Sequence, residues 1–191
     1  MTENEILKIL SETGALLTGH FELRSGLHSN QFFQCANALK YPRIAERLCG
    51  DLVAAMLKSL GRAPVADAVI APALGGIIVG HEIARVLDLP FIFAEKQDGK
   101  LVLRRFSIEK GQRFIVAEDV VTRGGRVQET IDIVKNNGGT VAAVAMLVDR
   151  SGSKARFEYP AFSLLKMAPV TYEPAECPMC RKNIPLVHPG S

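Results

Sequence analysis

The sequence lacks any apolar stretch long enough to cross a membrane. Its most apolar segment, 65–80, is interrupted by Asp67, Pro72 and the Gly75-Gly76 pair, whereas a spanning helix needs about 20 unbroken apolar residues. Cysteine is also scarce, because the 191 residues include only 4 cysteines, at scattered spacings. That number and spacing do not make a disulfide framework in a chain of this length. An integral membrane protein and a small secreted disulfide-rich domain are therefore both disfavoured.

Excess charge of one sign is missing as well. The chain has 23 Lys+Arg against 20 Asp+Glu, a formal charge of +3, which is too small to indicate a nucleic-acid-binding coat. The first ten residues, MTENEILKIL, are acidic and amphipathic, which is not typical of a signal peptide. These absences predict a cytoplasmic chain whose partners include neither nucleic acid nor a membrane.

Helix and strand patterns follow one another along most of the chain. Thr2 and Glu5 form a capping-box pattern for a first helix that ends near Gly14, and residues 15–35 are typical of short strands and turns. Beyond that point, helices are predicted over 42–60, 76–87 and 126–137, and strands over 66–71, 90–94, 113–117 and 140–148. Residues 95–112 are expected to form a charged loop or hairpin that turns at Asp98-Gly99.

This alternation predicts an α/β fold with a doubly wound, mostly parallel sheet and helices on both faces. The length favours one domain spanning 1–191. An N-terminal cap of about 1–40 and a C-terminal tail of about 170–191 are expected to pack on the core. Ligands of such sheets bind beyond the carboxyl ends of the strands, so the loops that follow the strands are the segments to inspect.

One of these loops, within the segment 114–126 (FIVAEDVVTRGGR), carries the most chemical information. A buried strand leads into two adjacent acids, Glu118 and Asp119, and then into a Thr/Gly/Arg loop that opens a helix. Glycines let backbone N–H groups converge on an anion, and a helix start adds free donors and a positive dipole end. The pattern predicts a phosphate cradle, and the acids beside it suit ribose hydroxyls or a hydrated Mg²⁺.

The segment is neither a Walker loop nor a dinucleotide-binding fingerprint, because Gly-Lys-Ser/Thr and G-x-G-x-x-G are both absent from it. Considered as residues alone, it is also compatible with a solvated acidic pair and an ordinary strand-to-helix turn. Consecutive strand residues point to opposite faces. Both acids can therefore reach one ligand only if the strand has ended before them.

The segment 114–126 resembles the phosphoribosyl-diphosphate (PRPP) signature of the type I phosphoribosyltransferases. Further segments resemble one branch of these enzymes, the orotate phosphoribosyltransferases: ALLTGHFELRSGLHSNQFFQCANA at 15–38, APALGGIIVG at 71–80, DRSG at 149–152 and the tail CPMCRKNIPLVHPGS. The resemblance covers nearly the whole chain in the right order. It implies an enzyme that transfers phosphoribose from PRPP to N1 of orotate, giving orotidine 5′-monophosphate and diphosphate in pyrimidine biosynthesis.

The resemblance also implies roles for individual residues. Glu118 and Asp119 would hold the ribose hydroxyls, and Asp119 is a candidate catalytic residue. The residues that would wrap the 5′-phosphate are Thr122, Arg123, Gly124, Gly125 and Arg126, and Val120 and Val121 before them are also implied to bind PRPP. The implied diphosphate loop consists of Ala73, Leu74 and Gly75, followed by Gly76. The implied orotate contacts are Thr122, Arg150, Arg24, Phe32 and Phe33.

Two positions in the implied phosphate loop depart from the family pattern. The family usually reads Thr-Thr-Gly-Gly-Ser or Thr-Ala-Gly-Thr, whereas this chain has arginine at 123 and 126. Because arginine brings charge to the cradle, we expect binding of the 5′-phosphate to depend on salt more than is usual.

A mobile loop at about 95–105 would close over the site and bring cations to the diphosphate. The candidates are Lys96, Lys100, Arg104 and Arg105, of which Lys100 is the predicted catalytic cation and Lys96 a predicted PRPP ligand. The resemblance further implies a homodimer that shares this loop across its interface. It also implies Mg²⁺ held mainly by the substrate, without direct protein ligands.

Two other functions remain open from the residues. One is a phosphoribosyltransferase for another base, although the N-terminal region and Arg150 suit an anionic pyrimidine better. The other is a PRPP-sensing regulator on the same fold, which would need a DNA-binding element. The sequence shows neither a helix-turn-helix pattern nor a basic stripe.

Cys177 and Cys180 form a C-x-x-C pair in the tail. Such a pair supplies two zinc ligands and His188 a third, with no obvious fourth, so a purely structural tail is favoured over a zinc site or a redox dithiol. His20, His28 and His81 are interpreted as isolated histidines.

Overall fold

The computed structural model describes residues 1–23, 25–62, 64–168 and 170–189. The chain divides into two compact units, one formed by Met1–Ala38 with Ala168–Ser191 and the other by Leu39–Met167. Within the described residues, no helix combines the length and apolarity that crossing a membrane requires.

The first unit is built from both terminal parts of the chain. Its elements are α1 (Glu3–Glu12), β1 (Leu16–Glu22), β2 (His28–Phe33), the short helix α2 (Ala36–Leu39) at its boundary, β9 (Thr171–Tyr172), a 3-10 turn (Pro174–Glu176) and α6 (Pro178–Arg181). The Thr2 side chain accepts from the Glu5 N–H, and the Glu5 carboxylate accepts from the Thr2 N–H, so the predicted capping box is confirmed.

A small antiparallel sheet organises this unit. β2 lies between β1 and β9, with Leu16 opposite Phe33 on one side and His28 opposite Tyr172 on the other. The tail adds further contacts to β1, because the Val187 N–H donates to the His20 carbonyl at 2.8 Å. The N-terminal hairpin and the C-terminal tail therefore form one sheet.

The second unit is the α/β core. Its elements are α3 (Pro42–Leu60), β3 (Ala68–Pro72), α4 (Gly76–Leu87), β4 (Phe91–Gln97), β5 (Lys100–Val102), β6 (Arg113–Val121), α5 (Gly125–Asn136), β7 (Thr140–Asp149) and β8 (Ala161–Lys166). They form a six-stranded sheet in the order β5-β4-β3-β6-β7-β8. Every neighbouring pair is parallel except the β4–β5 hairpin.

Helices cover both faces of this sheet. Ile70, Phe114 and Val144 lie on one face and are buried in a cluster with Val127 and Ile131 of α5. Helix α4 packs on the opposite face. Its Gly76 and Gly80 lie so close to Ala71 of β3 that a Cβ built on either glycine would be 3.0 Å from the Ala71 Cβ. Residues 70 and 71 point to opposite faces of β3, so α4 and α5 lie on opposite sides, as the predicted doubly wound architecture requires.

The strand that carries the two acids is longer than predicted. The sequence predicts a strand over 113–117, but β6 continues to Val121, with Val120 opposite Val148 and Val121 opposite Asp149 in β7. Pairing with β7 sustains the strand beyond the point at which its apolar pattern ends. The sheet also has an edge strand, β8, that the sequence analysis did not predict.

Candidate active site

Glu118 and Asp119 lie near the carboxyl end of β6. Glu118 is only 6% exposed, and Asp119 is half-buried. The Asp119 N–H donates to Glu118 Oε1 at 3.1 Å, and the Val120 N–H donates to Asp119 Oδ1 at 2.8 Å. These backbone bonds hold the two carboxylates close together even though both residues belong to a strand.

Burial changes the acidity of this pair. Desolvation raises the pKa of Glu118 well above its usual range, and the neighbouring Asp119 charge raises that pKa further. Desolvation also raises the pKa of Asp119, although the hydrogen bond from the Val120 N–H lowers it. The pair is therefore costly to ionise fully, and hydroxyl donors or a cation would offset that cost.

Replacing Glu118 with glutamine is expected to stabilise the fold. The raised pKa means that the folded state favours protonated Glu118. The free energy of unfolding is therefore highest at low pH, where Glu118 is protonated, and it falls as the pH rises through the pKa of Glu118 in the folded state. Glu118→Gln should therefore raise the free energy of unfolding by about 1 kcal/mol at pH 8, with a smaller gain near pH 4. Denaturant unfolding at both pH values measures this difference.

The exposed Glu173→Gln variant is the matched control for that measurement. It should leave the free energy of unfolding unchanged at both pH values. A Glu118→Gln protein that is less stable than the original at pH 8 would contradict the cost assigned to burying this carboxylate.

The loop after β3 lies against Asp119. A Cβ built on Gly75 would lie 2.9 Å from Asp119 Oδ1, and one on Gly76 would lie 3.2 Å from the Ala117 carbonyl oxygen. The Ala73–Leu74 peptide bond is cis, and Leu74 is 84% exposed. The absence of a side chain at position 75 therefore lets this loop approach the acids closely, at the carboxyl edge of two adjacent parallel strands.

The loop 122–124 connects β6 to α5. Gly124 precedes the first residue of α5 with φ of 78°, and no side chain in the described residues caps this helix start. A Cβ on Gly124 would lie 3.1 Å from Phe157 Cζ, whereas one on Gly125 would have nothing within 4 Å. The first N–H groups of α5 have no intrahelical acceptors, so they can bind an anion.

Basic side chains surround this helix start. An open cavity of about 400 Å³ is lined by Arg123, Gly124 and Gly125 on one side and by Lys154 and Arg156 on another. Sequence reasoning missed Lys154 and Arg156, although the run SGSKAR at 151–156, shortly after the end of β7, places both in a loop at the carboxyl edge of the sheet. The charge suits a phosphate group next to the N-terminus of α5.

The Arg126 side chain forms an ion pair within α5 instead of pointing freely to a phosphate site. Its Nη1 donates to Glu129 Oε2 at 2.8 Å, while Glu129 Oε1 accepts from the Leu101 N–H at 2.6 Å. One carboxylate therefore connects the first turn of α5 with the β4–β5 hairpin. The predicted phosphate contact of the Arg126 side chain would require this ion pair to open.

The predicted cationic segment is a hairpin on the edge of the core sheet. Asp98 and Gly99 form its turn with φ of 49° and 84°, which confirms the predicted turn. Lys96 lies opposite Leu101, and Lys100 lies opposite Gln97. Since residues directly opposite each other share a face, the two lysines lie on opposite faces of the hairpin. Both are exposed.

Arg105 is already paired within the same segment. Its guanidinium donates two hydrogen bonds to the Glu95 carboxylate, at 2.9 and 3.2 Å. This ion pair joins the end of the hairpin to β4. Lys96 and Lys100 are therefore better candidates than Arg105 for binding a diphosphate.

Arg150 lies close to the acids along the sheet edge. It follows β7, and its N–H donates to the Val121 carbonyl at 2.8 Å, one strand away from Asp119. Phe32 and Phe33 lie in β2 of the first unit, where Phe33 is buried and the Phe32 ring lies 5.9 Å from that of Phe21. The remaining orotate candidate, Arg24, lies outside the described residues.

Comparisons with known proteins agree with this geometry. Residues 37–179 match the family model described as phosphoribosyl transferase domain. Curated orotate phosphoribosyltransferases from Caldicellulosiruptor bescii and Chlorobaculum parvum are 47% and 46% identical over this whole chain, covering 98% and 97% of their own lengths. The crystal structure of orotate phosphoribosyltransferase from Aeropyrum pernix matches with a TM-score of 0.73 at 27% identity, over 85% of this chain and 93% of that one.

The chain belongs to the phosphoribosyl transferase family. Within that family it falls among the orotate phosphoribosyltransferases, because its identity to them extends over the full chain. The fold is that of the type I phosphoribosyltransferases, as predicted.

Proposed function

We propose that this pentosyltransferase moves phosphoribose from PRPP to N1 of orotate, releasing diphosphate and forming orotidine 5′-monophosphate. The observation that carries the proposal is the close approach of the loop at Gly75 to Asp119, together with the free N–H groups that the first turn of α5 offers to an anion. A sugar carrying phosphate at one end and diphosphate at the other needs two anion-binding loops with acids between them. The names of the relatives supply the identity of the base.

Each part of PRPP then has a binding partner in the core. We assign the ribose hydroxyls to Glu118 and Asp119, because buried carboxylates can accept hydrogen bonds from them. We assign the 5′-phosphate to the loop that ends at Gly124 and the first N–H groups of α5. The diphosphate is assigned to Ala73, Leu74 and Gly75, where the backbone is accessible.

Orotate is assigned to Thr122 and Arg150, with Phe32, Phe33 and Arg24 supplied by the N-terminal region. A guanidinium suits a carboxylate because it offers two parallel donors. The expected packing of the N-terminal cap and the tail on the core is part of this proposal.

The chemical step follows from the charges. The bond from ribose C1 to the diphosphate oxygen breaks, and the electron pair leaves with the diphosphate while positive charge develops on the ring. The carboxylates of Glu118 and Asp119 stabilise that positive charge, and the Lys100 ammonium stabilises the negative charge on the leaving diphosphate. Orotate N1 attacks C1 from the opposite face, and its proton can be lost to solvent beforehand, so a dedicated base is unnecessary.

Mg²⁺ is expected to accompany PRPP. The donors fit, because Mg²⁺ prefers oxygen ligands and keeps several waters, and the Glu118 and Asp119 carboxylates lie side by side. Desolvation by burial raises the pKa of both carboxyl groups, so a cation beside them would offset the cost of ionising them. Held mainly by the substrate near these acids, the ion would supply charge compensation for the diphosphate.

Two further expectations concern the setting of the enzyme. We propose a homodimer in which the β4–β5 hairpin reaches the neighbouring site. We also propose a cytoplasmic location. No disulfide joins the four cysteines, all of which lie in the described residues, and this agrees with a reducing compartment.

Loss of orotate absorbance on addition of PRPP and Mg²⁺ tests the proposal directly. We expect turnover with orotate and none with adenine, hypoxanthine or uracil as the acceptor. Turnover of a purine instead of orotate would assign the enzyme to another base. Binding of PRPP without turnover of any base would contradict a catalytic function.

Two neighbouring glycines should separate folding from binding. Gly124→Ala places a Cβ against Phe157 at a positive φ, so we expect a loss of about 2 kcal/mol in the free energy of unfolding. Gly125→Ala meets open space at the helix start, so stability should be retained while the Kd for PRPP rises roughly tenfold, because a side chain now stands where the phosphate approaches. Thermal unfolding and PRPP titration measure the two effects, and equal stability of the two variants would contradict them.

A further inference from the structure

Four potential metal ligands converge in the first unit, and none of them is a residue assigned to PRPP. His20 lies in β1, His28 in β2, and Cys177 and Cys180 lie in the tail. Their ligand atoms all lie within 4.8 Å of one another. His20, His28 and Cys177 are buried, and Cys180 is half-buried.

The distances within this cluster resemble those of a tetrahedral site. His20 Nε2 and His28 Nδ1 are 2.9 Å apart, Cys180 Sγ lies 3.3 Å from His28 Nδ1, and Cys177 Sγ lies 3.5 Å from His20 Nε2. Ligand atoms around tetrahedral zinc, with Zn–N of about 2.0 Å and Zn–S of about 2.3 Å, are separated by roughly 3.3 to 3.8 Å. These three distances depart from that range by at most about 0.4 Å, and the widest pair of ligand atoms, at up to 4.8 Å, would close by about 1 Å around an ion.

Hydrogen bonding alone does not account for the convergence. His20 Nδ1 lies 2.8 Å from the Ile184 carbonyl oxygen, which can only accept, so Nδ1 carries the proton and Nε2 carries the lone pair. Three polar atoms approach that nitrogen: His28 Nδ1 and the sulfurs of Cys177 and Cys180. One lone pair cannot hydrogen-bond to all three of these atoms at once, whereas a single cation among the four ligands would be bound by all of them.

The surroundings also suit a metal. Histidine ligands commonly donate their other ring N–H to a backbone carbonyl, as His20 does to Ile184. The two cysteines flank the first turn of α6, where the Arg181 N–H donates to the Cys177 carbonyl at 3.2 Å. This turn holds both sulfurs on the same side, facing the β1–β2 hairpin.

We propose that His20, His28, Cys177 and Cys180 bind one structural Zn²⁺. Two thiolates and two imidazoles favour zinc over Mg²⁺ or Ca²⁺, which prefer oxygen. Because the protein supplies all four ligands, no position is left open for a substrate. The ion would cross-link the N-terminal hairpin to the C-terminal tail within one compact unit.

This proposal replaces the sequence-based interpretation of the same residues. His188, the third ligand that the sequence could offer to zinc, instead lies 3.2 Å from the Glu22 carboxylate on the surface. His20 and His28 are not isolated, since strand pairing brings both to the cysteines across 152 to 160 residues of sequence.

Metal analysis of the full chain, purified without an affinity tag or chelator, tests the site. We expect about one zinc ion per chain. Cys180→Ser and His28→Ala should each lower the zinc content at least tenfold, whereas Cys49→Ala, which changes a buried cysteine in α3, should leave it unchanged. Zinc content does not depend on turnover of orotate, so failure here would leave the proposed activity intact.

Cobalt substitution of the original chain avoids any doubt about whether the variants fold. Co²⁺ added to zinc-stripped protein should give the absorption bands of a tetrahedral ion with thiolate ligands, and zinc should abolish them. Less than about 0.1 zinc per chain after dialysis against Zn²⁺ would overturn the proposal. A Cys177–Cys180 disulfide in freshly purified protein, or equal zinc content in the Cys180→Ser variant, would also overturn it.

Discussion

Asp119→Asn is expected to lower kcat/KM for PRPP by roughly 10² to 10³-fold, which is the largest effect of any single substitution considered. A hydrogen bond to a charged group contributes about 1.5 to 3 kcal/mol, and each 1.4 kcal/mol is a factor of ten. The negative charge also favours the positive charge that develops on the ribose ring. Asparagine keeps the shape and the bond from the Val120 N–H, so the fold should survive.

Orotate consumption at saturating and limiting PRPP measures this loss. Asp132→Asn is the matched control, because Asp132 is an exposed residue of α5 whose side chain accepts from Gln128 Nε2 at 2.9 Å. It should leave kcat/KM unchanged. If Asp119→Asn retained kcat/KM within about threefold of the original enzyme while folding normally, the assignment of the ribose to this strand end would fail.

Lys100→Ala is expected to lower kcat roughly 10²-fold with little change in the KM for PRPP. The leaving diphosphate gains charge only as the bond to C1 breaks, so a cation that acts on that charge raises kcat more than it improves ground-state binding. Lys96→Ala should show the other pattern, a higher KM for PRPP with kcat largely retained. The two effects should differ because Lys96 and Lys100 lie on opposite faces of the hairpin.

Steady-state kinetics of the two variants, beside the exposed Lys58→Ala control in α3, would distinguish the two roles. Equal changes in kcat and KM for Lys96→Ala and Lys100→Ala would mean that the hairpin acts only as a diffuse positive surface. The reverse assignment, with Lys96→Ala losing kcat, would exchange the roles of the two lysines.

Local sequence patterns predicted the core elements well where the start and stop signals are strong. Pro42 begins α3, and Gly61 ends it with φ of 68°, as expected. The bounds of α4 were also predicted correctly, since helix 76–87 coincides with Gly76–Leu87. These signals depend on backbone preferences within a few residues, so no tertiary information is needed to find them.

Strand ends were predicted less well, because they depend on partners. β6 runs through Glu118 and Asp119 to Val121 since β7 continues alongside it. Strand β8 was not predicted because it is defined by its pairing with β7, for which the local sequence carries no signal. Consequently, the two acids are correctly placed at the sheet edge, but their proximity depends on backbone hydrogen bonds within the strand rather than on a loop.

The cluster of His20, His28, Cys177 and Cys180 could be predicted from local sequence even less well than the strand ends. The spacing of Cys177 and Cys180 is visible in the sequence, but their approach to His20 and His28 depends on the register of β1 with β2 and on the path of the tail. Neither histidine belongs to a local motif. Only the three-dimensional structure could bring these ligands together.

The first unit combines residues from both terminal parts of the chain, so its folding depends on the order in which the chain is synthesised. β2 pairs with β9, and the tail near Val187 pairs with β1, so this sheet cannot be completed until those last segments have left the ribosome. The core formed by Leu39–Met167 is contiguous in sequence and can begin to fold earlier, as domains generally do during translation. Until the tail emerges, the nascent chain carries an unpartnered hairpin edge of the kind that chaperones protect.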